Sequence, residues 1–80
     1  MPLKKTSISE FLNKHLESYF EMHDGDMPSS GLFDLVISEA EKTTIAATLK
    51  YTNGVQAKAA HILGISRNTL RKKMQELDAK

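Results

Sequence analysis

Apolar residues recur every three or four positions near the start of the chain, at Ile8, Phe11, Leu12, Leu16, Tyr19 and Phe20. That spacing places them on one face of a helix and predicts one over about residues 8–22. Ser7 and Glu10 fit a capping box at its start, in which the serine accepts an amide hydrogen bond and the glutamate reaches back. The stretch His23–Ser30 is rich in Gly, Pro, Asp and Ser and reads as a loop. Ser29 or Ser30 then caps a second helix expected to run to about Thr52. Its apolar residues, Leu32, Phe33, Leu35, Val36, Ile37, Ala40, Ile45, Ala46, Ala47, Leu49 and Tyr51, wrap around more than one face. Such a helix must be covered on two sides. In so short a chain the second cover is expected to come from another subunit.

Asn53 and Gly54 both tolerate a positive φ and end that helix. A third, short helix is expected over Gln56–Leu63, with Ala59, Ala60, Ile62 and Leu63 as buried candidates. Gly64-Ile65-Ser66 then forms a tight turn, and Ser66 caps a fourth helix from Arg67 to about Leu77. The predicted class is all-α, with four helices.

The last two helices meet the physical requirements of a helix-turn-helix at residues 56–77. Two closely crossing helices need a small residue between them, which is Ala60. A turn of three or four residues needs one that enters the left-handed region cheaply, which is Gly64. Ile65 follows as an apolar plug, and Leu70 packs the second helix back onto the first. On a helical wheel centred on Leu70, residues Asn68, Lys72 and Gln75 point outward, flanked by Arg71 and Thr69. Arginine can bond two acceptors of guanine, and asparagine can bond adenine. Thr69, Lys72 and Lys73 suit phosphates, as do the free amides at the helix start. Arg67 lies in the first turn, nearest the groove floor in this docking mode.

Charge sharpens the picture. Residues 1–55 hold five lysines against eight acids, net −3, whereas residues 56–80 hold six basic residues against two acids, net +4. The positive charge sits where a polyanion would be met. With 80 residues and no cysteine, disulfides and thiolate zinc sites are excluded. Helix packing and oligomerisation are the remaining sources of stability. No apolar run approaches the roughly 20 residues that span a bilayer, and nothing at the N-terminus reads as a signal peptide. A soluble protein of the cytoplasm is expected, with no membrane partner. His15, His23 and His61 have no ligand pair at i, i+4 spacing and are read as structural or surface groups. The serines lack a base or an elbow motif. No catalytic constellation, metal or cofactor is expected.

Asn53-Gly54-Val55-Gln56-Ala57-Lys58-Ala59-Ala60 and Leu63-Gly64-Ile65-Ser66-Arg67-Asn68-Thr69-Leu70-Arg71-Lys72-Lys73 also carry a resemblance. The chain resembles the Fis-type helix-turn-helix family and is especially similar to the C-terminal DNA-binding domain of NtrC-type nitrogen regulators. Gly31-Leu32-Phe33-Asp34, Glu39, Glu41 and Glu76-Leu77-Asp78 add to that likeness. The resemblance implies a single domain over 1–80. Its first two helices, within 8–52, would form an intertwined dimer platform through Phe11, Leu12, Leu16, Tyr19, Phe20, Leu32, Phe33, Val36 and Ile37. Each subunit would present its last helix to a major groove. Arg67, Thr69, Arg71 and Lys72 would be the main DNA contacts, with Ser66, Asn68 and Lys73 close by and Gln56 and Lys58 on the preceding helix. Val55 and Ser66 stand where the family often has asparagine; Ser66 can still cap and donate.

The expected function is sequence-specific binding of double-stranded DNA by a homodimer, regulating transcription through a palindromic site at the nucleoid. A Fis-like architectural protein that bends DNA is the alternative within DNA binding. A protein dimerisation or docking module is the alternative from another class. The receiver and ATPase domains of full NtrC-type regulators are absent from these 80 residues, which fits an excised domain or a free-standing protein. RNA polymerase and the rest of such a regulator are the further candidate partners.

Overall fold

The computed structural model describes residues 5–23, 25 and 30–78. It consists of four helices, α1 (Lys5–Glu21), α2 (Leu32–Tyr51), α3 (Gln56–Leu63) and α4 (Arg67–Asp78). No strand occurs among the described residues. The chain divides into two compact units, one over Met1–Ser30 and one over Gly31–Lys80.

In the first unit, α1 begins a turn earlier than the capping box suggests. Ser7 lies inside the helix rather than ahead of it. Lysine is a good helix former and nothing between Lys5 and Ser7 breaks a helix, so the segment continues upstream. Asn13 Nδ2 donates to Glu17 Oε1 at 3.0 Å, a pairing one turn apart. Rings line one side of the helix: Phe11 stacks on His15 at 4.6 Å between centroids, and Tyr19 on His23 at 4.7 Å. His23 follows the helix end, where its amide donates to the Phe20 carbonyl at 3.1 Å. The predicted loop of 23–30 falls largely outside the described residues.

The second unit has a core of its own. Ile45 from α2, Ala59 and Ala60 from α3, and Leu70 from α4 are buried together. Leu49, Leu63, Ile65, Met74 and Leu77 pack around them. α2 packs on α3, and α3 packs on α4. The N-cap of α2 is Gly31, with φ 104°, and no side chain caps it. This corrects the expectation of a cap at Ser30; Ser29 lies outside the described residues. The left-handed backbone of Gly31 turns the chain into the helix, and the Leu35 amide donates to the Gly31 carbonyl at 3.0 Å.

α2 ends one residue before Thr52, in the way its sequence dictates. Asn53 and Gly54 both take positive φ, 54° and 82°. The Gly54 amide donates to the Leu49 carbonyl at 2.8 Å and the Asn53 amide to the Lys50 carbonyl at 3.2 Å. Those bonds satisfy carbonyls that the helix end would leave orphaned. Thr52 is buried beside this turn, with its hydroxyl donating to the Leu49 carbonyl at 3.3 Å.

One predicted core residue is not in the core. Ile62 is 53% exposed. It lies two residues beyond Ala60, which carries it to the far side of α3, whereas Ala59, Ala60 and Leu63 share the buried side.

Candidate nucleic-acid interface

The turn between α3 and α4 aims the last helix, and its geometry follows from three residues. Gly64 ends α3 in the left-handed region at φ 74°, ψ 28°. Its amide donates to the Ala60 and His61 carbonyls, and the Ile65 amide donates to the Ala60 carbonyl at 3.1 Å. This is a Schellman closure, which reverses the chain while leaving few free carbonyls. A Cβ placed on Gly64 would meet no atom within 4 Å, so glycine is required here by the backbone angle and not by space. Ala60 is buried at the crossing, as its small size allows.

Ser66 then caps α4. Its Oγ accepts the Thr69 amide at 3.0 Å and donates to Thr69 Oγ1 at 2.9 Å. The Leu70 amide donates to the Ser66 carbonyl at 2.9 Å, the first bond of the new helix. Ser66 and Thr69 are thereby tied to each other at the exposed start of α4.

Leu70 has 0% exposure and fixes which way α4 faces. With that side buried, Arg67, Asn68, Thr69, Arg71, Lys72 and Gln75 are all exposed. The face therefore carries three cations, an amide pair and a hydroxyl, the groups that bond base edges and phosphates. On α3, Lys58 is exposed and Gln56 half-buried.

Lys73 is placed differently from the rest of the predicted set. It is half-buried, and its Nζ donates to Glu41 Oε1 of α2 at 2.8 Å. The hydrogen bond and charge of Glu41 make the Lys73 ammonium hold its proton more tightly than an ordinary lysine. Sequence reasoning gave Glu41 no part in the site. The two residues are 32 positions apart, and no local periodicity connects them.

The expected interface residues Phe11, Leu12, Leu16, Tyr19 and Phe20 on α1 are all exposed or half-buried, as are Leu32, Phe33, Val36 and Ile37 on α2. Phe11 is 67% exposed and Phe33 77%. His61 is exposed on α3. Among the described residues, no helix is long and apolar enough to cross a membrane.

Comparison with known proteins bears on the same segment. The profile of the family described as "Bacterial regulatory protein, Fis family" matches residues 36–77, which spans α3, the turn and α4 up to Leu77 together with most of α2. The chain is 48% identical over 71 residues to the DNA-binding transcriptional regulator NtrC of Azospirillum brasilense, covering 89% of this chain and 15% of that protein. It is 38% identical over 74 residues to a protein of Neisseria meningitidis described as Fis-like and DNA-binding, covering 92% of each. It is 39% identical over 71 residues to the DNA-binding protein Fis of Buchnera aphidicola, covering 89% of this chain and 72% of that one. The chain thus spans only 15% of the length of the NtrC regulators of Azospirillum brasilense and Rhizobium meliloti that it matches.

Proposed function

Since the chain belongs to the Fis family of bacterial regulatory proteins, we propose that it binds double-stranded DNA as a homodimer, with α4 of each subunit in a major groove, and regulates transcription from a roughly palindromic site. The observation that carries this reading is the exposed face of α4. Arg67, Asn68, Thr69, Arg71 and Lys72 are exposed on a helix whose opposite side is anchored by the buried Leu70. Arg71 and Arg67 read base edges, Thr69 and Lys72 hold phosphates, and Ser66 caps the start of the helix that carries them. Gln56 and Lys58 add backbone contacts from α3.

The dimer is supported by what a single chain leaves uncovered. α1 carries six large apolar or aromatic residues on one side, and none of them is buried. A helix of 17 residues with such a face is marginal in water by itself. Phe33, Leu35 and Ile37 are exposed on α2 as well. A second copy covers both, and its two-fold symmetry imposes a two-fold site on the DNA. A cytoplasmic, nucleoid location follows from this reading, with RNA polymerase, or the remainder of a longer regulator, as the further partner.

Arg71→Ala tests it. The variant is expected to lose about 1–3 kcal/mol of binding free energy and to relax base preference at one position. An unchanged titration in a mobility-shift assay would remove α4 from the interface.

A second reading has its own support. The Fis-like protein of Neisseria meningitidis matches this chain over 92% of both lengths, which favours a Fis-like architectural role in bending DNA. Footprints on palindromic and random duplexes separate the two. Architectural binding discriminates weakly between them, because its preference comes from deformability.

A further inference from the structure

Lys73 is a cation on the proposed DNA-binding helix, yet it is turned toward the protein. Its Nζ lies 2.8 Å from Glu41 Oε1. Asp34 and Glu76 line the same cleft, and of these carboxylates it is Glu41 that pairs with the ammonium. Around α4, Lys73 adjoins the buried side marked by Leu70, whereas Asn68, Lys72 and Gln75 occupy the opposite side. Lys73–Glu41 is the one ion pair found among the described residues, and it joins α2 to α4.

We propose that Glu41 is a positioning residue that holds the Lys73 ammonium on the α2 side of α4, so that this lysine neutralises no DNA phosphate and the duplex is met by Arg67, Arg71 and Lys72. The inference rests on the reading that α4 faces DNA. Its consequence is for specificity. Each phosphate-bound lysine strengthens binding to every sequence alike. A lysine kept at home by an internal carboxylate lowers that uniform affinity while leaving the base-reading groups untouched. Glu41 thus stands where a phosphate would otherwise stand, and it raises the ratio of specific to non-specific binding.

The test is the salt dependence of binding to a short random-sequence duplex, measured with the full chain as Glu41→Gln, Lys73→Gln and both together. Glu41→Gln releases the lysine. It should steepen the slope of log affinity against log salt by about 0.9 per bound subunit and raise low-salt affinity several-fold. Lys73→Gln alone should leave the parent slope unchanged, and the double variant should return to it. A purely structural role would not move the slope upward. An unchanged slope in Glu41→Gln overturns the proposal, as does a shallower slope in Lys73→Gln, which would make Lys73 a phosphate ligand already. Should Glu41→Gln lose its helical circular dichroism, Lys73→Gln alone decides. Arg71→Ala serves as the control. If it too binds unchanged, the placement of α4 on DNA has failed; if it weakens binding while the slopes stay flat, only the role of Glu41 has.

Discussion

The two units of this chain solve the same problem in opposite ways. The unit from Gly31 onward folds around a small core, in which Ile45, Ala59, Ala60 and Leu70 come from three helices. The unit that contains α1 has six apolar or aromatic positions on one side and buries none of them. Both sequences are amphipathic, so periodicity alone does not separate them. The difference lies in the partners each finds within one chain. α2 serves the second unit by packing on α3, although its own Phe33, Leu35 and Ile37 stay exposed. The helix-turn-helix is therefore shaped by intrachain contacts, whereas the exposed apolar sides of α1 and α2 are what a second copy would cover in the proposed dimer. In the proposed function this division matters, because one part forms the face that meets DNA and the other sets the distance between two such faces.

Breaking the core should have the largest effect. Leu70→Ala removes the one large side chain that is fully buried among the described residues, and about 2–5 kcal/mol of stability should go with it. Chemical denaturation measures this, and a loss below 1 kcal/mol, roughly, would show that the second unit does not depend on that core. The contrasting change is Phe11→Asp in α1. It should shift the chain from dimer to monomer in sedimentation equilibrium, with the helical signal of the second unit retained. A dimer that persists would move the interface away from α1.

Smaller effects sharpen the account of the turn. Gly64→Ala keeps φ 74° only with strain, since its new Cβ has space but not a favoured backbone. The expected cost is about 1–2 kcal/mol. Ser66→Ala loses the bond to the Thr69 amide and should cost about 0.5–2 kcal/mol. Ser66→Asn restores a capping acceptor and should recover most of it. An equal loss in both variants would mean that the hydroxyl bond to Thr69 Oγ1, not the cap, is what α4 requires.

These contrasts also separate what the sequence made legible from what it did not. The turn was readable because its chemistry is local: Gly64, Ile65 and Ser66 each act on residues within five positions. The same holds for Asn53 and Gly54 at the end of α2. The starts of α1 and α2 were less so. Serines near a helix start are only candidates for a cap, and the backbone chose Gly31 and an earlier turn instead. Ile62 is apolar but sits on the wrong side of α3, an error that the wheel position two residues from Ala60 corrects. The Glu41–Lys73 pair was invisible, because it depends on how α2 and α4 come together across 32 residues. For the same reason the basic character of α4 was legible, but not which of its cations the fold would retain.

The central claim is that two copies of α4 act together on one duplex. Sedimentation equilibrium of the full chain with a palindromic duplex tests it most directly. The account predicts a complex of two chains per duplex, formed without a stable one-chain intermediate. A complex that saturates at one chain per duplex would contradict it.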